Sequence, residues 1–359
     1  MNGFELALYA EGAGVGGVGG TRFASSQPAR GLVSEAGSEH PWCRFRRGKW
    51  RRSVCEAGCA RSCAGAHGAE HYITYMLALR VGVVLWPTVG WREAASDWLR
   101  VEALGFAHAW VYDHLSWRGI TPWHDCYSTL AAAAAVTSRI ELGPLVTTPN
   151  FRHPVPTAKA LLSIQDIAEG RLQAGLGAGA TSSDAGALGE GDWSARERAD
   201  RFCEWVTLLA RLLREPTTTA TGRFYSASCA AVGGSEHARL PLAIAATGTR
   251  GLQLVARYAT TWIAQDKPTQ DIDGYASVQR QLRRLDQACG EIGRDARELR
   301  RLLVAGNGDA QPMRSLDDFE RCVERYAALG FTDLVVHAAR QQPPHHAEPP
   351  MLERIAARF

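Results

Sequence analysis

Apolar positions along the chain fall into short runs separated by stretches of helical period. Leu79–Leu85 (LRVGVVL) is a Val-rich run of strand length. Trp91, Ala94, Trp98, Val101 and Leu104 follow at helical spacing, with Gly105 where a helix stops. The alternation continues with a strand at His108–Tyr112, an Ala-rich helix at Cys126–Val136 and a strand at Ile140–Val146. Pro154 and Pro156 open a helix that runs to Glu169 and ends at Gly170. A fourth strand is expected at Arg171–Leu176. Ser194 with Glu197 forms a capping box ahead of a helix to about Leu213, and Gly222–Ala231 reads as an extra loop or hairpin. Further strands fall at Leu240–Ala246, Thr260–Ala264, Leu299–Ala305 and Leu334–Ala338. Between and after them, helices are expected at Gly248–Tyr258, Tyr275–Ile292, from Ser315 to Gly330, and at Pro349–Arg358.

Eight apolar strands alternating with helices require crossover connections and therefore a parallel sheet. Eight such units in about 280 residues fit a (β/α)8 TIM barrel, with an insertion after strand four. An internal echo agrees. Ala-Leu-Gly-Phe at 103–106 leads into the strand before His114, and the same tetrapeptide at 328–331 leads into a strand ending at His337. The competing fold is an open doubly wound sheet. Gly175, Gly177 and Gly179 follow a strand, but G-x-G-x-G is not the dinucleotide fingerprint, and no acidic residue stands at the ribose spacing.

Residues 1–76 break the pattern. They hold 13 of the 36 Gly and lack a sustained apolar period, so a leader that is either disordered or not translated is expected there and the barrel domain at 77–359. Met76 reads as the natural start. The net charge of +3 comes entirely from this stretch, which excludes a polyanion binder driven by bulk charge. Its basic run at 44–52 reads as a solvated tail rather than a nucleic-acid patch. Cys55, Cys59 and Cys63 lack the Cys-x-x-Cys knuckle of a metal site. No apolar run is long enough for a membrane helix, and no secretory signal is visible. The nine Cys are then expected as reduced thiols, and the protein as cytoplasmic.

In a TIM barrel, chemistry sits at the C-terminal ends of the strands. Trp86-Pro87, Tyr112-Asp113-His114, Val146-Thr147-Thr148, the strand-four glycines with Ser182 and Ser183, Ala246-Thr247-Gly248, and His337 fall there. This rim is aromatic, Gly-rich and hydroxyl-rich. It suits a flat ligand with a phosphate better than a hydrolytic site of paired acids. The start of the helix at Gly248 offers backbone N–H groups to an anion. Asp113-His114 also admits a plainer reading, as a hydrogen-bonded pair that orders a loop. A metal set of Asp113, His114, His153 and His337 lacks the His-x-His of metal-dependent barrels, and no metal is expected.

The segments LRVGVVLWP, GFAHAWVYDHLSWR, SRIELGPLVTTPNFRHPVPTAKALLSIQDIAEGRLQAGLGAGA, ARERADRFCEWVTLLARLL and LPLAIAATGTRGLQLVARYATTWIA resemble the bacterial luciferase-like monooxygenases. They are most similar to the branch that uses coenzyme F420 (a deazaflavin) or FMN. The resemblance covers about 77–340 and implies a flavin-type ring across the barrel mouth. It implies that His114 sits beside the reacting ring, with Asp113 fixing its orientation. It implies a non-prolyl cis peptide at Leu145-Val146 behind the ring. Cofactor contacts are implied at Trp86, Asp113, His114, Leu145, Val146, Thr147, Gly177, Gly179, Ser182 and Ser183. Ala246, Thr247 and Gly248 are implied as the phosphate loop. Members that oxidise a sugar phosphate carry Glu directly after the strand-four glycines, and this chain has Ala180. Three functions follow: an F420-dependent oxidoreductase moving a hydride to or from a small organic substrate, an FMN-dependent monooxygenase using O2, or a flavin-binding barrel without turnover. The family often forms homodimers.

Overall fold

The structure is a computed structural model and describes residues 79–179, 183–191, 193–233, 240–340 and 350–359. The expected leader, Met76 and Ser182 lie outside the described residues. Eight parallel strands form one sheet: β1 (Arg80–Leu85), β2 (His108–Val111), β3 (Glu141–Pro144), β4 (Ala174–Gly177), β7 (Leu242–Ala245), β8 (Thr261–Gln265), β9 (Arg300–Val304) and β10 (Asp333–His337). Their order is β3-β2-β1-β10-β9-β8-β7-β4. Parallel bridges Leu142–Leu172 and Thr147–Leu176 join the two edge strands, so the sheet closes into the expected barrel. The helices between strands are α1 (Trp91–Ala103), α2 (Cys126–Val136), α3 (Pro154–Ile167), α6 (Thr249–Tyr258), α7 (Gly274–Gly290) and α8 (Leu316–Ala327), and α9 (Met351–Ala356) follows β10. The insertion after β4 holds α4 (Ser183–Ala187), α5 (Ala195–Leu212) and the antiparallel hairpin β5 (Thr218–Thr221) and β6 (Ser226–Ala230).

Two cores hold the layers together. Inside the ring, Val84, Trp110, Leu145, Ile263, Leu302 and Val335 fill the barrel, and Tyr112, Val146 and Ala245 pack on them. Outside it, Trp98, Trp205, Trp262, Phe319 and Tyr326, all below 2% exposed, lie among the residues buried between strands and helices. The echoed tetrapeptides have a common geometry. Gly105 (φ 87°) and Gly330 (φ 78°) both take the left-handed conformation that stops a helix and turns the chain into a strand.

The fourth strand begins at Ala174 rather than Arg171. Arg171 pins the end of α2 instead, donating to the Ala134, Thr137 and Ile140 carbonyls and to Thr137 Oγ1. Only Leu172 bridges to β3 in that stretch.

Candidate active site

β2 ends at Val111 and delivers Tyr112, Asp113 and His114 in succession to the mouth. They do not form the expected unit. The His114 ring is held by Asp184, with Nδ1 2.8 Å from Oδ2. The other Asp184 oxygen accepts from the Leu115 N–H at 2.8 Å. Asp184 is 1% exposed, in the first turn of α4. A carboxylate only accepts, so Nδ1 carries the hydrogen, and Nε2 is not taken by Asp184.

Asp113 is engaged elsewhere. Its two oxygens take the Arg152 guanidinium bidentately at 2.6 Å each, and Oδ2 also accepts from Thr147 Oγ1 at 2.6 Å. Its hydrogen bonds run to Arg152 and Thr147 rather than to the imidazole, so the expectation that Asp113 holds His114 is corrected: the ring is held by Asp184. Burial pushes the Asp113 carboxyl up, and the Arg152 guanidinium opposes it. Arg152 is in turn seated over the Tyr127 ring at 3.8 Å, and its carbonyl accepts from Trp205 Nε1. Thr147 is fully buried. Its hydroxyl donates to Asp113, so it receives its other bond from the Tyr127 hydroxyl at 2.8 Å. Thr147 therefore braces the clamp beneath the site rather than facing the mouth.

The floor of the mouth is apolar. The Leu145-Val146 peptide is cis, and Val146 packs on the inner core. Gly177 makes room for it: a Cβ there would lie 2.3 Å from Val146 Cγ2. Gly179 likewise faces the Asn150 amide, which a Cβ would meet at 2.2 Å. Ser183 opens α4, one residue before Asp184.

Across the mouth, the Ala246 carbonyl accepts from Trp262 Nε1, and Thr247 and Gly248 are exposed at the start of α6. Gly248 gives no side-chain cap, so the first-turn N–H groups of α6 are available to an anion.

Aromatic rings wall the other side. Trp86 lies 5.4 Å from Tyr112, 5.5 Å from Trp117 and 5.6 Å from His337, and its Nε1 donates to the Ala338 carbonyl. Tyr112 Oη lies 2.6 Å from His337 Nε2 and accepts from Asn307 Nδ2 at 3.4 Å. Burial pushes the Tyr112 hydroxyl up to about 12, so it stays a neutral hydrogen-bonding group. Arg340 lies over Trp86, 4.7 Å from the ring centroid. A cavity of about 350 Å³ adjoins this wall between α1 and α2, with Trp86, Trp91, Asp97 and Trp98 among its lining.

Of the expected contacts, Trp86, His114, Val146, Gly177, Gly179, Ser183, Ala246, Thr247 and Gly248 lie around the mouth. Leu145 belongs to the packed floor, and Asp113 and Thr147 sit beneath. Asp184 falls at the strand-four end of the rim, as its position in the sequence implies, but its pairing with His114 was not anticipated, nor were Arg152 and Arg340. Asp184 lies seventy residues from His114 in a Gly- and Ser-rich stretch with no local signature. Among the described residues, no group of three or more His, Cys, Asp or Glu is gathered for a metal, and no helix is long and apolar enough to cross a membrane.

The family model described as luciferase-like monooxygenase matches residues 76–306. An F420-dependent glucose-6-phosphate dehydrogenase of Intrasporangium calvum is 34% identical over 187 residues, covering 48% of this chain and 54% of that protein. An F420-dependent hydroxymycolic acid dehydrogenase of Mycobacterium tuberculosis is 31% identical over 178 residues, covering 47% of this chain and 48% of that protein. The chain thus spans about half the length of the curated relatives it matches. Among solved structures, an F420-dependent secondary alcohol dehydrogenase in complex with an F420–acetone adduct superposes with a TM-score of 0.65 at 15% identity, covering 78% of this chain and 98% of that one. A monooxygenase from Streptomyces bottropensis superposes with a TM-score of 0.61 at 22% identity, over 78% and 98%. At these identities the structural likeness establishes the fold.

Proposed function

Since the chain belongs to the luciferase-like monooxygenase family, we propose that it is an oxidoreductase that holds coenzyme F420, or the related FMN, across the barrel mouth and acts there on a small organic substrate. The names of the F420-dependent relatives favour the deazaflavin. The residues present fit such a group. Gly177 admits Val146 beneath a flat ring, and the uncapped start of α6 at Gly248 suits a phosphate. Trp86, Leu145, Val146, Gly177, Gly179 and Ser183 would border the ring, and Ala246, Thr247 and Gly248 would hold the phosphate. The coenzyme, when bound, supplies a ring carbon that takes or gives a hydride.

The protein's own part is positioning and proton handling. The observation that carries the reading is the His114 ring fixed through Nδ1 by Asp184, which leaves Nε2 for a substrate. For an alcohol oxidised there, Nε2 takes the hydroxyl proton as the hydride leaves carbon. Reduction runs the same transfers backward. Ala180, in place of the Glu of sugar-phosphate-oxidising members, argues for a different substrate.

The test is a fluorescence titration of the full chain with coenzyme F420 and with FMN, each oxidised and reduced. Tighter binding of F420 is expected. Preference for reduced FMN points to oxygen chemistry, and binding of neither overturns the coenzyme assignment. His114→Ala is expected to lower turnover about 100- to 10,000-fold, with coenzyme affinity little changed. Unchanged turnover removes His114 from the chemistry.

A further inference from the structure

We propose that Arg340, with the indoles of Trp86 and Trp117, forms a carboxylate subsite that selects flat, apolar or aromatic acids as substrates. The inference rests on the oxidoreductase reading of the same mouth and adds the class of molecule that enters it.

Arg340 follows β10 by three residues and is half-buried. Its guanidinium lies 4.7 Å from the Trp86 ring centroid and 5.8 Å from that of Trp117. Nη1 is buried and has no hydrogen-bond partner. Among the described residues, no carboxylate forms an ion pair with it. Burial alone shifts its pKa, downward, with no acidic neighbour to restore it. A buried N–H of a charged group left without an acceptor is unfavourable unless a ligand completes it.

Three acids near the mouth are already engaged. Asp113 holds Arg152, Asp184 holds His114 and the Leu115 N–H, and Asp125 holds Ser128 and Arg152. Asp266 accepts from the Ala310 N–H and the Tyr326 hydroxyl through Oδ2, while its Oδ1 is buried without a partner. Beside the two indoles the charge is positive: exposed Arg118 lies 5.1 Å from the Trp117 centroid.

The topology keeps this charge apart from the coenzyme's phosphate. In the closed ring, β1 and β7 stand opposite one another. The α6 start that would take the phosphate follows β7, whereas Arg340 and Trp86 follow β10 and β1. Arg340 is therefore left for the second ligand. From Arg340 the aromatic wall leads to the reacting edge: Trp117 lies 5.3 Å from Trp123, which lies 6.1 Å from His114. An acid anchored on Arg340 can lay its flat body along these rings and reach His114 with its far end. One guanidinium offers a planar fork and a single charge, which matches a carboxylate rather than a phosphate dianion.

The experiment is calorimetric titration of the full chain, without coenzyme, by 2-naphthoate and its neutral isostere 2-naphthamide. The acid is expected to bind about tenfold or more tighter than the amide, the ordinary worth of a charged hydrogen bond. Arg340→Gln should abolish that difference by weakening the acid alone, Arg340→Lys should keep part of it, and His114→Ala should keep all of it. A thermal scan confirms that each variant folds. Equal binding of acid and amide by the native chain overturns the subsite, as does a folded Arg340→Gln variant with undiminished naphthoate affinity. Tighter binding of phenyl phosphate than of naphthoate overturns the carboxylate assignment. No coenzyme is present, so this outcome stands apart from the coenzyme titration and the His114→Ala turnover.

Discussion

At the N-terminal end of the barrel, Arg80, His108, Glu141, Arg300 and Asp333 are each the first residue of their strand, and each finds its partner among the others. Arg300 reaches Asp333 at 2.5 Å and Glu141 at 3.1 Å, Arg80 reaches Glu141 at 2.7 Å, and His108 reaches Asp333 at 3.1 Å. The parallel register brings them together, with Arg80 opposite Asp333 and His108 opposite Glu141. At the C-terminal end, the Asp113–Arg152 pair lies beneath the surface, His114 is fixed through one nitrogen only, and Arg340 has no counter-ion among the described residues. The same barrel uses charge to close one end and leaves it facing outward at the other. That contrast separates residues that hold the fold from residues that await a ligand.

The largest test removes the centre of the closed end. Asp333 is fully buried and accepts from His108, Arg300 and the Thr332 hydroxyl. Burial pushes its carboxyl up, but the hydrogen bonds from His108 and Arg300 more than offset this and hold it well below the usual carboxylate range. Asp333→Ala leaves His108 and Thr332 without their acceptor and Arg300 with Glu141 alone, and losing one partner of a buried pair costs about 3–5 kcal/mol. Denaturant unfolding should show that loss while coenzyme affinity in the folded fraction is unchanged. A comparable loss of coenzyme affinity would mean that the two ends are not separate in role.

The matching test at the open end is Asp184→Asn. An amide can keep the Leu115 N–H bond through its carbonyl, but it no longer answers His114 with a negative charge. Loss of such a supporting partner typically costs about 10- to 100-fold in function. The expected signature is lower turnover with a shifted pH–rate profile and a denaturation midpoint close to native. Native turnover with an unshifted profile would return Asp184 to a loop-ordering role.

The barrel was legible in the sequence because each strand is a Val-, Leu- or Ala-rich run and each helix carries a stop such as Gly105 or Gly330. These are local signals. Arg171 misled because a polar residue just before an apolar run looks like the solvent-facing start of a strand, whereas its guanidinium caps α2. The ring of charges at the bottom was invisible for the same reason: five separate strand-initial polar residues become a network only through register. At the mouth, Asp113-His114 as neighbours invited pairing, yet successive residues leaving β2 point apart. The partners came from α4 and from the loop before α3, at sequence distances that no spacing rule covers. The elements follow from local patterning, whereas which side chains meet is decided by closure of the ring.

The smallest expected effect comes from His108 and gives the closed end a pH signature. Trp110 Nε1 only donates, so its 2.8 Å bond makes His108 Nδ1 an acceptor, and the ring's hydrogen sits on Nε2 toward Asp333. The ring is therefore neutral, and burial pushes its pKa below the usual 6.5. In the unfolded chain His108 takes up a proton as the pH falls through about 6.5, and in the folded chain it does not, so acid favours unfolding. Asp333 adds nothing in this window, because its unfolded carboxyl titrates near 3.8 and its folded one lower still. Its contribution is present above that range and fades only as the pH falls through its depressed folded value. Between pH 6.5 and pH 5 the slope from His108 alone therefore approaches about 1.4 kcal/mol per pH unit. His153, exposed but with its pKa also lowered by partial desolvation, tilts the curve the same way, so the native slope alone does not isolate His108. The difference between native protein and His108→Gln does: the variant should lose the steeper limb while its coenzyme affinity keeps the native pH dependence. If the two slopes coincide, His108 is charged in the fold, the Trp110 bond cannot form as described, and the closed end is not the fully satisfied network that sets it apart from the mouth.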